Sequence, residues 1–297
     1  MNDLTHSTLN PGGKVLACID ESRYAASVCD YAKWSAVRMD APLSLLHVIP
    51  NPPGGTVESE QNLSGTIGFG ARNRLLEELA TVDAQRSRLA VEAGRHLLAA
   101  ALERLGGEDL PSVETRQRHG ELVDALAALE DETRMFVVGK RGADTEGEHG
   151  HLGGHLEQII RALHRPILIA QQSFAPPRRF LFAHDGSETA RRGVGMVAQS
   201  PLLRGIPCHV VSVGSDPKRF ASAQDEARDI FEAAGFDVTT ATVPGEPQTA
   251  LPAYEAEHGI DLLIMGAYGD SRVHRFFLGS TTAAMIRSCR VSLMVIR

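Results

Sequence analysis

The stretch Lys14-Val-Leu-Ala-Cys-Ile-Asp20-Glu-Ser22 recurs later in the chain as Arg179-Phe-Leu-Phe-Ala-His-Asp185-Gly-Ser187. Each copy is a short apolar run that ends in Asp-x-Ser, which is typical of a buried strand followed by a turn. Each copy also opens a series of similar segments in the same order, so we predict two copies of one fold. The length of 297 residues agrees, because a domain has about 150 residues.

The segments that follow each copy alternate between apolar runs and helix-length stretches. The corresponding apolar runs are Leu43–Val48 and Cys208–Val213, Met135–Gly139 and Leu262–Ala267, and Pro166–Ala170 and Ser292–Ile296. A more polar run, Ser112–Gln117 or Asp237–Thr242, is expected at a sheet edge. The helix-length stretches include Ala25–Met39, Ala190–Leu203, Leu122–Thr133 and Thr249–His258. This alternation predicts parallel strands joined by right-handed crossovers.

We therefore predict an α/β protein with two tandem open parallel five-stranded sheets, strand order 3-2-1-4-5 in each, and helices on both faces. The first domain is expected over residues 1–172, the linker over 173–178 and the second domain over 179–297. The exposed edges of Pro166–Ala170 and Ser292–Ile296 would be protected if these strands paired with each other. That pairing would make an intrachain pseudo-dimer, and it leaves a further homodimer open.

The first half carries an insertion over residues 51–105. Its first part, Asn51–Ala71, is rich in Gly and Pro and is interpreted as a loop. Its second part, Arg72–Leu105, has apolar residues at helical spacing and predicts one long amphipathic helix. We expect the apolar stripe to belong to the core, the alternative being a membrane or partner surface.

Composition excludes several classes of protein. Hydrophobic residues are 43% and charged residues 23% of the chain, as in soluble globular proteins. The net charge of −7 argues against a nucleic-acid partner. The polar N-terminus does not resemble a secretory signal, and no apolar run is long enough for a membrane span. The four cysteines show no C-x-x-C pairing, which favours reduced thiols and a cytoplasmic protein.

The strongest local motif is Met265-Gly266-Ala-Tyr-Gly269, followed after nine residues by Gly279-Ser280-Thr281-Thr282. Glycines after a parallel strand let the backbone approach a ligand, and hydroxyls at a helix N-terminus add to its free N–H donors. Asp185 would lie at the same edge of the sheet, where open α/β proteins bind ligands. Although glycines alone could merely cap a strand and a helix, the combination favours an anion site, with Asp185 binding a ribose or an adenine amine.

These residues resemble the universal stress proteins, whose phosphate motif is Gly-x2-Gly-x9-Gly-(Ser/Thr). The phrases Val137-Val-Gly-Lys-Arg-Gly142 and His151-Leu-Gly resemble the two-domain branch of that family. The resemblance implies an adenine-nucleotide α-hydrolase-like fold, ATP or AMP binding with or without Mg²⁺, dimerisation through the last strand and a role in stress survival. The nucleotide-binding residues that it implies are Ala183, His184, Asp185, Val213, Met265, Gly266, Tyr268, Gly269, Gly279, Ser280, Thr281 and Thr282. His184 and Tyr268 are bulkier than expected and would narrow the pocket.

The first half matches the phosphate motif less well. Gly139-Lys-Arg-Gly142 is followed by ten residues, and the helix then begins Gly153-Gly154-His155-Leu156, without a hydroxyl. The connecting loop carries three acids, Asp144, Glu146 and Glu148, whereas the second-half loop carries Arg272 and Arg275 against Asp270. The predicted degenerate site comprises Asp20, Val48, Gly139, Arg141, Gly142 and Gly153. We expect it to be empty or differently occupied, because acids oppose anion binding.

Weaker motifs are given their simpler interpretations. The histidines His149, His151 and His155 could suggest a metal site, but a solvated glycine-rich loop is commoner, and no metal is assigned. The string Gly193-Val-Gly195-Met-Val-Ala198 falls inside a predicted helix, which favours helix packing over dinucleotide binding. Neither a P-loop nor a Gly-x-Ser-x-Gly motif occurs.

The sequence therefore favours a regulatory adenine-nucleotide-binding protein of the stress response, without efficient turnover and without catalytic residues. Two alternatives stay open. One is an enzyme that hydrolyses ATP slowly or transfers an adenylyl group. The other is a scaffold, or a carrier of a different and lipid-like ligand, in which the 51–105 insertion forms an apolar cleft.

Overall fold

The computed structural model of the chain describes residues 10–50, 69–106, 109–142, 154–267 and 280–297. Within these ranges ten strands form one continuous sheet that is flanked by eight helices. The strands are β1 Lys14–Cys18, β2 Leu43–Ile49, β3 Val113–His119, β4 Thr133–Gly139, β5 Ile167–Ala170, β6 Phe180–Ala183, β7 Cys208–Val213, β8 Val238–Val243, β9 Leu262–Gly266 and β10 Ser292–Ile296. The helices are α1 Ala25–Met39, α2 Phe69–Leu105, α3 Leu122–Ala127, α4 Gly154–Ala162, α5 Glu188–Gln199, α6 Pro217–Ala233, α7 Pro247–His258 and α8 Ser280–Ser288.

The order of strands in the sheet is β3-β2-β1-β4-β5-β10-β9-β6-β7-β8, which contains the arrangement 3-2-1-4-5 twice. Neighbouring strands within each half are parallel. The two halves join through β5 and β10, which are antiparallel and place Leu168 opposite Met294 and Ile169 opposite Leu293. The predicted strand order and the predicted pairing of the terminal strands are confirmed. Each terminal strand covers the edge that the other would otherwise expose.

The more polar strands β3 and β8 lie at the two ends of the sheet, as predicted. On β3, Glu114 and Arg116 contact charged residues of β1 and of the turn before β4. Lys14 Nζ lies 2.8 Å from Glu114 Oε1 and 3.1 Å from Glu132 Oε2, and Arg116 also pairs with both acids. Charged side chains on an edge strand oppose the addition of another strand.

Two apolar layers cover the two faces of the sheet, and each continues across both halves. One layer packs α1, the C-terminal part of α2, α5 and α6 on the sheet, with Val28, Leu98, Val194 and Phe231 among its buried residues. The other packs α3, α4, α7 and α8, with Leu126, Ile160, Leu251 and Ile286. Gly193 of α5 lies in the first of these layers, where an added Cβ would stand 3.1 Å from the Phe182 ring. The close packing of α5 on the sheet therefore explains this glycine.

The last helix of each half is capped by a side chain from the other half. Gln171, which follows β5, donates from Nε2 to the carbonyls of Cys289 and Val291, just beyond α8. Arg297, which follows β10, donates to the carbonyls of Arg161 and Leu163 at the end of α4. Lys140 adds a 2.6 Å bond to the Cys289 carbonyl. Donors at a helix C-terminus satisfy its free carbonyls and complement its dipole, so these contacts stabilise the junction.

Two predicted elements differ from those observed. The stretch Leu122–Thr133 is helical only to Ala127, after which a 3-10 turn over Glu130–Glu132 leads into β4. The expectation that the apolar stripe of α2 is core holds for Leu98 and for Leu97, which packs against the core, but is wrong for Val82, Leu89 and Leu102, which are exposed. Helical periodicity predicts which residues share one face of α2. How much of that face is buried depends on how far the elements packed against α2 extend along it.

Among the described residues, no helix has both the length and the apolar composition needed to cross a membrane. The four cysteines, Cys18, Cys29, Cys208 and Cys289, are free thiols.

Candidate functional site

In the second half, the chain leaves β6 through a turn built by Asp185, Gly186 and Ser187. Asp185 Oδ1 accepts from the Ser187 amide at 3.0 Å, and Ser187 Oγ caps α5 by accepting from the Ala190 amide at 3.1 Å. Gly186 has a φ of +86°, a conformation that residues with a Cβ rarely adopt. The Asp185 side chain is exposed. The turn therefore presents a carboxylate at the C-terminal edge of the sheet.

Three further predicted residues lie together at this edge. Ala183 and Val213 are the last residues of β6 and β7, and Met265 is the last residue but one of β9. All three belong to the same apolar layer, and β9 and β7 both neighbour β6. Met265 is buried, whereas Ala183 and Val213 are partly exposed. These three residues, called the apolar floor below, lie on the α7–α8 side of the sheet at the edge where the Asp185 turn leaves β6.

His184 does not bring its side chain to this floor. Successive residues of a strand point to opposite faces, and the His184 ring lies on the α5–α6 side, 6.1 Å from the Phe182 ring. Its Nδ1 accepts from the Gly186 amide at 3.1 Å, which assigns the proton of the neutral ring to Nε2. Burial lowers the pKa of His184 below its usual value. Nε2 is buried with no hydrogen-bond partner among the described residues. The expected narrowing of the pocket by the His184 ring is therefore not seen.

The first turn of α8 is fastened to the end of β9. Thr282 is 3% exposed, and its hydroxyl donates to the Ala267 carbonyl at 2.8 Å. Ala267 in turn donates its amide to the Ile296 carbonyl at 2.8 Å. Thr281 is exposed. Of the hydroxyls predicted for the phosphate site, that of Thr282 is thus engaged in holding the helix N-terminus against Gly266 and Ala267.

Several predicted residues lie outside the described ranges. These are Tyr268, Gly269 and Gly279 in the phosphate motif, Gly153 in the first half, and the charged residues of both connecting loops. Ser280 is the first residue of α8, but its side chain is not described.

In the first half, five residues of the predicted degenerate site line one cavity of about 350 Å³. These residues are Asp20, Val48, Gly139, Arg141 and Gly142. The structure thus gathers them at the C-terminal ends of β1, β2 and β4.

Two of these glycines lie close to neighbouring groups. A Cβ on Gly142 would stand 3.2 Å from Asp20 Oδ2, and a Cβ on Gly139 would stand 2.8 Å from the Tyr24 Cβ. The approach of this loop to the strand ends therefore depends on small residues.

The sequence left open an apolar cleft formed by the 51–105 insertion but did not identify the residues of the cavity wall. Ala90 and Ala93 of α2 close one side, and Leu156 and Ile159 of α4 contribute apolar surface. The small residues of α2 were the available signal. Lys140 lines the cavity, but its Nζ bonds to the Cys289 carbonyl. The other charged or titratable residues of the lining are Arg141, the acids Asp20, Glu21 and Glu121, and two histidines.

Sequence comparison agrees with this doubled architecture. The profile described as the Universal stress protein family matches residues 13–171 and again residues 177–297. The chain belongs to the universal stress protein family. Two matches along one chain, together with the repeated strand order, make it a tandem universal stress protein.

A relative matched over almost its whole length supports the same assignment, and solved structures share the fold. The universal stress protein Slr1230 of Synechocystis sp. is 33% identical over 286 residues, which cover 95% of this chain and 99% of the relative. A solved universal stress protein from Archaeoglobus fulgidus has a TM-score of 0.68 at 18% identity and covers 96% of this chain and 98% of its own. A Pseudomonas aeruginosa protein of unknown function has a TM-score of 0.59 at 14% identity and covers 95% and 92%. Both structures share the fold of this universal stress protein.

Proposed function

We propose that this universal stress protein binds one adenine nucleotide, ATP or AMP, in its second half and acts as a regulatory module. The observation that supports the proposal is that Ala183, Val213 and Met265 belong to one apolar layer at the edge of the sheet where the turn of Asp185 leaves β6. A planar base fits an apolar floor, and a carboxylate is a hydrogen-bond acceptor for ribose hydroxyls.

The N-terminus of α8 suits the phosphate end of such a ligand. The first turn of α8 has no acidic residue, whereas the first turn of α4 in the first half contains Glu157. A helix N-terminus presents free N–H donors and a partial positive charge, and a nearby carboxylate opposes an anion there. The contrast supports nucleotide binding at α8 rather than at α4. Tyr268, Gly269, Gly279, Ser280 and Thr281 would complete the phosphate cradle, with Gly266 and His184 contributing backbone.

We infer that the first-half cavity takes a different ligand. Its walls combine the apolar residues Val48, Ala90, Ala93 and Ile159 with the carboxylates of Asp20 and Glu121. A space that combines apolar walls with charged side chains and is closed on one side by a long helix favours a carrier of a lipid-like molecule with a polar end as the second candidate function.

Calorimetric titration with ATP and AMP tests the main proposal. We expect one nucleotide per chain, binding lost in Gly279→Asp and retained in Gly153→Asp. Asp185→Asn should weaken binding about tenfold or more, as expected for a lost hydrogen bond to a charged group. Equal occupancy of both halves would contradict the proposal of a single site. Loss of binding only in Gly153→Asp would place the site in the first half instead of the second.

Two further measurements separate the candidate functions. Mass spectrometry of small molecules released from freshly purified protein should give an adenine nucleotide, and an acylated molecule would support the carrier. Incubation with Mg²⁺ and ATP should give turnover well below the enzyme range of about 1 to 10³ per second. A rate within that range would establish an enzyme instead.

A further inference from the structure

Residues 78–89 of α2, called the extension below, are not covered by the packed body that the structure describes. The helix has 37 residues and is therefore about 55 Å long. Its buried apolar residues Leu98, Ala101 and Leu105 all lie near the C-terminus. From Glu78 to Leu89, every side chain that the structure describes is exposed. Val82 and Leu89 are 57% and 66% exposed.

This extension carries an apolar stripe. Val82 and Leu89 are exposed and seven residues apart, and Leu75 stands seven residues before Val82, so the three positions share one face of the helix. An isolated helical segment of this length is only marginally stable in water. An apolar face on such a segment therefore fits a partner helix.

The charges beside the stripe indicate what that partner is. Glu78 and Arg86 lie four residues before and four residues after Val82, on the same face, and both are exposed. In an antiparallel pair of two such helices centred on Val82, Arg86 of one copy is level with the partner's Glu78, and the reverse contact occurs as well. A parallel pair in register would instead place like charges level with each other. The face is thus complementary to itself in one orientation, as a two-fold symmetric interface requires.

We propose that two copies of this protein associate through antiparallel pairing of their α2 helices, with the two-fold axis passing beside Val82. Apolar contacts along the stripe drive the pairing, and the two Glu78–Arg86 contacts set its direction.

A charge-exchange experiment tests both the partner and the direction. Sedimentation of the wild-type full chain should show a dimer. Either Glu78→Arg or Arg86→Glu alone places like charges level with each other and should raise the dimer dissociation constant about tenfold or more. An equimolar mixture of the two variants should recover the affinity as a heterodimer, because each chain then meets the opposite charge. Both positions are exposed, and circular dichroism checks that the variants are folded.

Cross-linking tests the position of the axis. Val82→Cys places a thiol opposite its own copy and should form a disulfide-linked dimer under mild oxidation, whereas Ser87→Cys, an exposed position on the far side of the helix, should not. A wild-type monomer, together with a Val82→Cys variant that forms no disulfide-linked dimer, would overturn the proposal. A dimer that withstands both charge reversals would overturn it too.

Discussion

Glu255 of α7 is a buried carboxyl at the place where the two halves meet. It is 4% exposed, and its oxygens lie 3.8 and 3.9 Å from the Cys289 sulfur. Lys140 of the first half bonds to the carbonyl of the same cysteine. Burial raises the pKa of Glu255 from 4.5 to about 7, since the thiol hydrogen bond and the Lys140 charge offset only part of the desolvation of the carboxylate.

This raised pKa predicts a pH-dependent stability. The pKa of Glu255 is higher in the folded state than in the unfolded state. Its contribution to the free energy of unfolding is therefore fully present below pH 4.5 and is lost as the pH rises through about 7. Glu255→Gln should flatten this dependence, which amounts to roughly 3 kcal/mol at most. Urea unfolding at about pH 5.5 and about pH 8 measures it, with the exposed Glu257→Gln as control. If Glu255→Gln keeps the wild-type difference, burial does not raise this pKa.

At the scale of elements, the glycines of α2 and α5 show how tertiary contacts override helix propensity. Gly94 of α2 faces β2 and β3, where an added Cβ would stand 2.1 Å from Gln117 Nε2 and 2.5 Å from His47 Cδ2. Both neighbours are held, His47 by the Ile19 carbonyl and Gln117 by the Val91 carbonyl. Gly195 of α5, by contrast, has nothing within 4 Å of an added Cβ.

The same substitution should therefore have opposite effects at these two sites. Gly195→Ala should stabilise the protein by up to about 1 kcal/mol, because alanine favours the helix. Gly94→Ala should destabilise it by about 1–3 kcal/mol, because α2 must shift away from the sheet. Chemical denaturation of both variants measures the two effects. A stabilised Gly94→Ala variant would show that α2 does not pack closely on β2 and β3 at this position.

At the scale of the whole molecule, the junction makes one structural unit from two copies. β5 and β10 continue one sheet into the other, and each apolar layer contains residues of both halves. The reciprocal caps of α4 and α8 also cross the junction. We therefore expect the two halves to unfold together.

Two matched substitutions test this expectation. Ile160 of α4 and Ile286 of α8 are each 1% exposed and occupy the same position in their helices. Replacing either with alanine should cost about 2–5 kcal/mol. Trp34, the only tryptophan, reports on the first half. Its fluorescence transition should shift to lower denaturant in both variants. A shift in Ile160→Ala alone would show that the halves unfold independently.

The sequence by itself determined the repeated architecture. The apolar runs ending in Asp20 and Asp185, and the strands that follow in the same order, predict two parallel sheets because strand periodicity and crossover handedness are local properties. The same reasoning placed β3 and β8 at the edges and paired β5 with β10. It also predicted which residues lie at the C-terminal ends of the strands. These are Asp20, Val48, Gly139, Arg141 and Gly142 in the first half, and Ala183, Asp185, Val213 and Met265 in the second.

Only the tertiary structure decided which face each side chain occupies and how far each element is covered. His184 turns to the α5–α6 side, and Thr282 bonds to a backbone carbonyl. In α2, Ala90 and Ala93 line the cavity, whereas Val82 and Leu89 are exposed. Periodicity along a chain fixes which residues share a face. Contact with that face depends on residues distant in sequence, whose positions follow from packing the whole sheet.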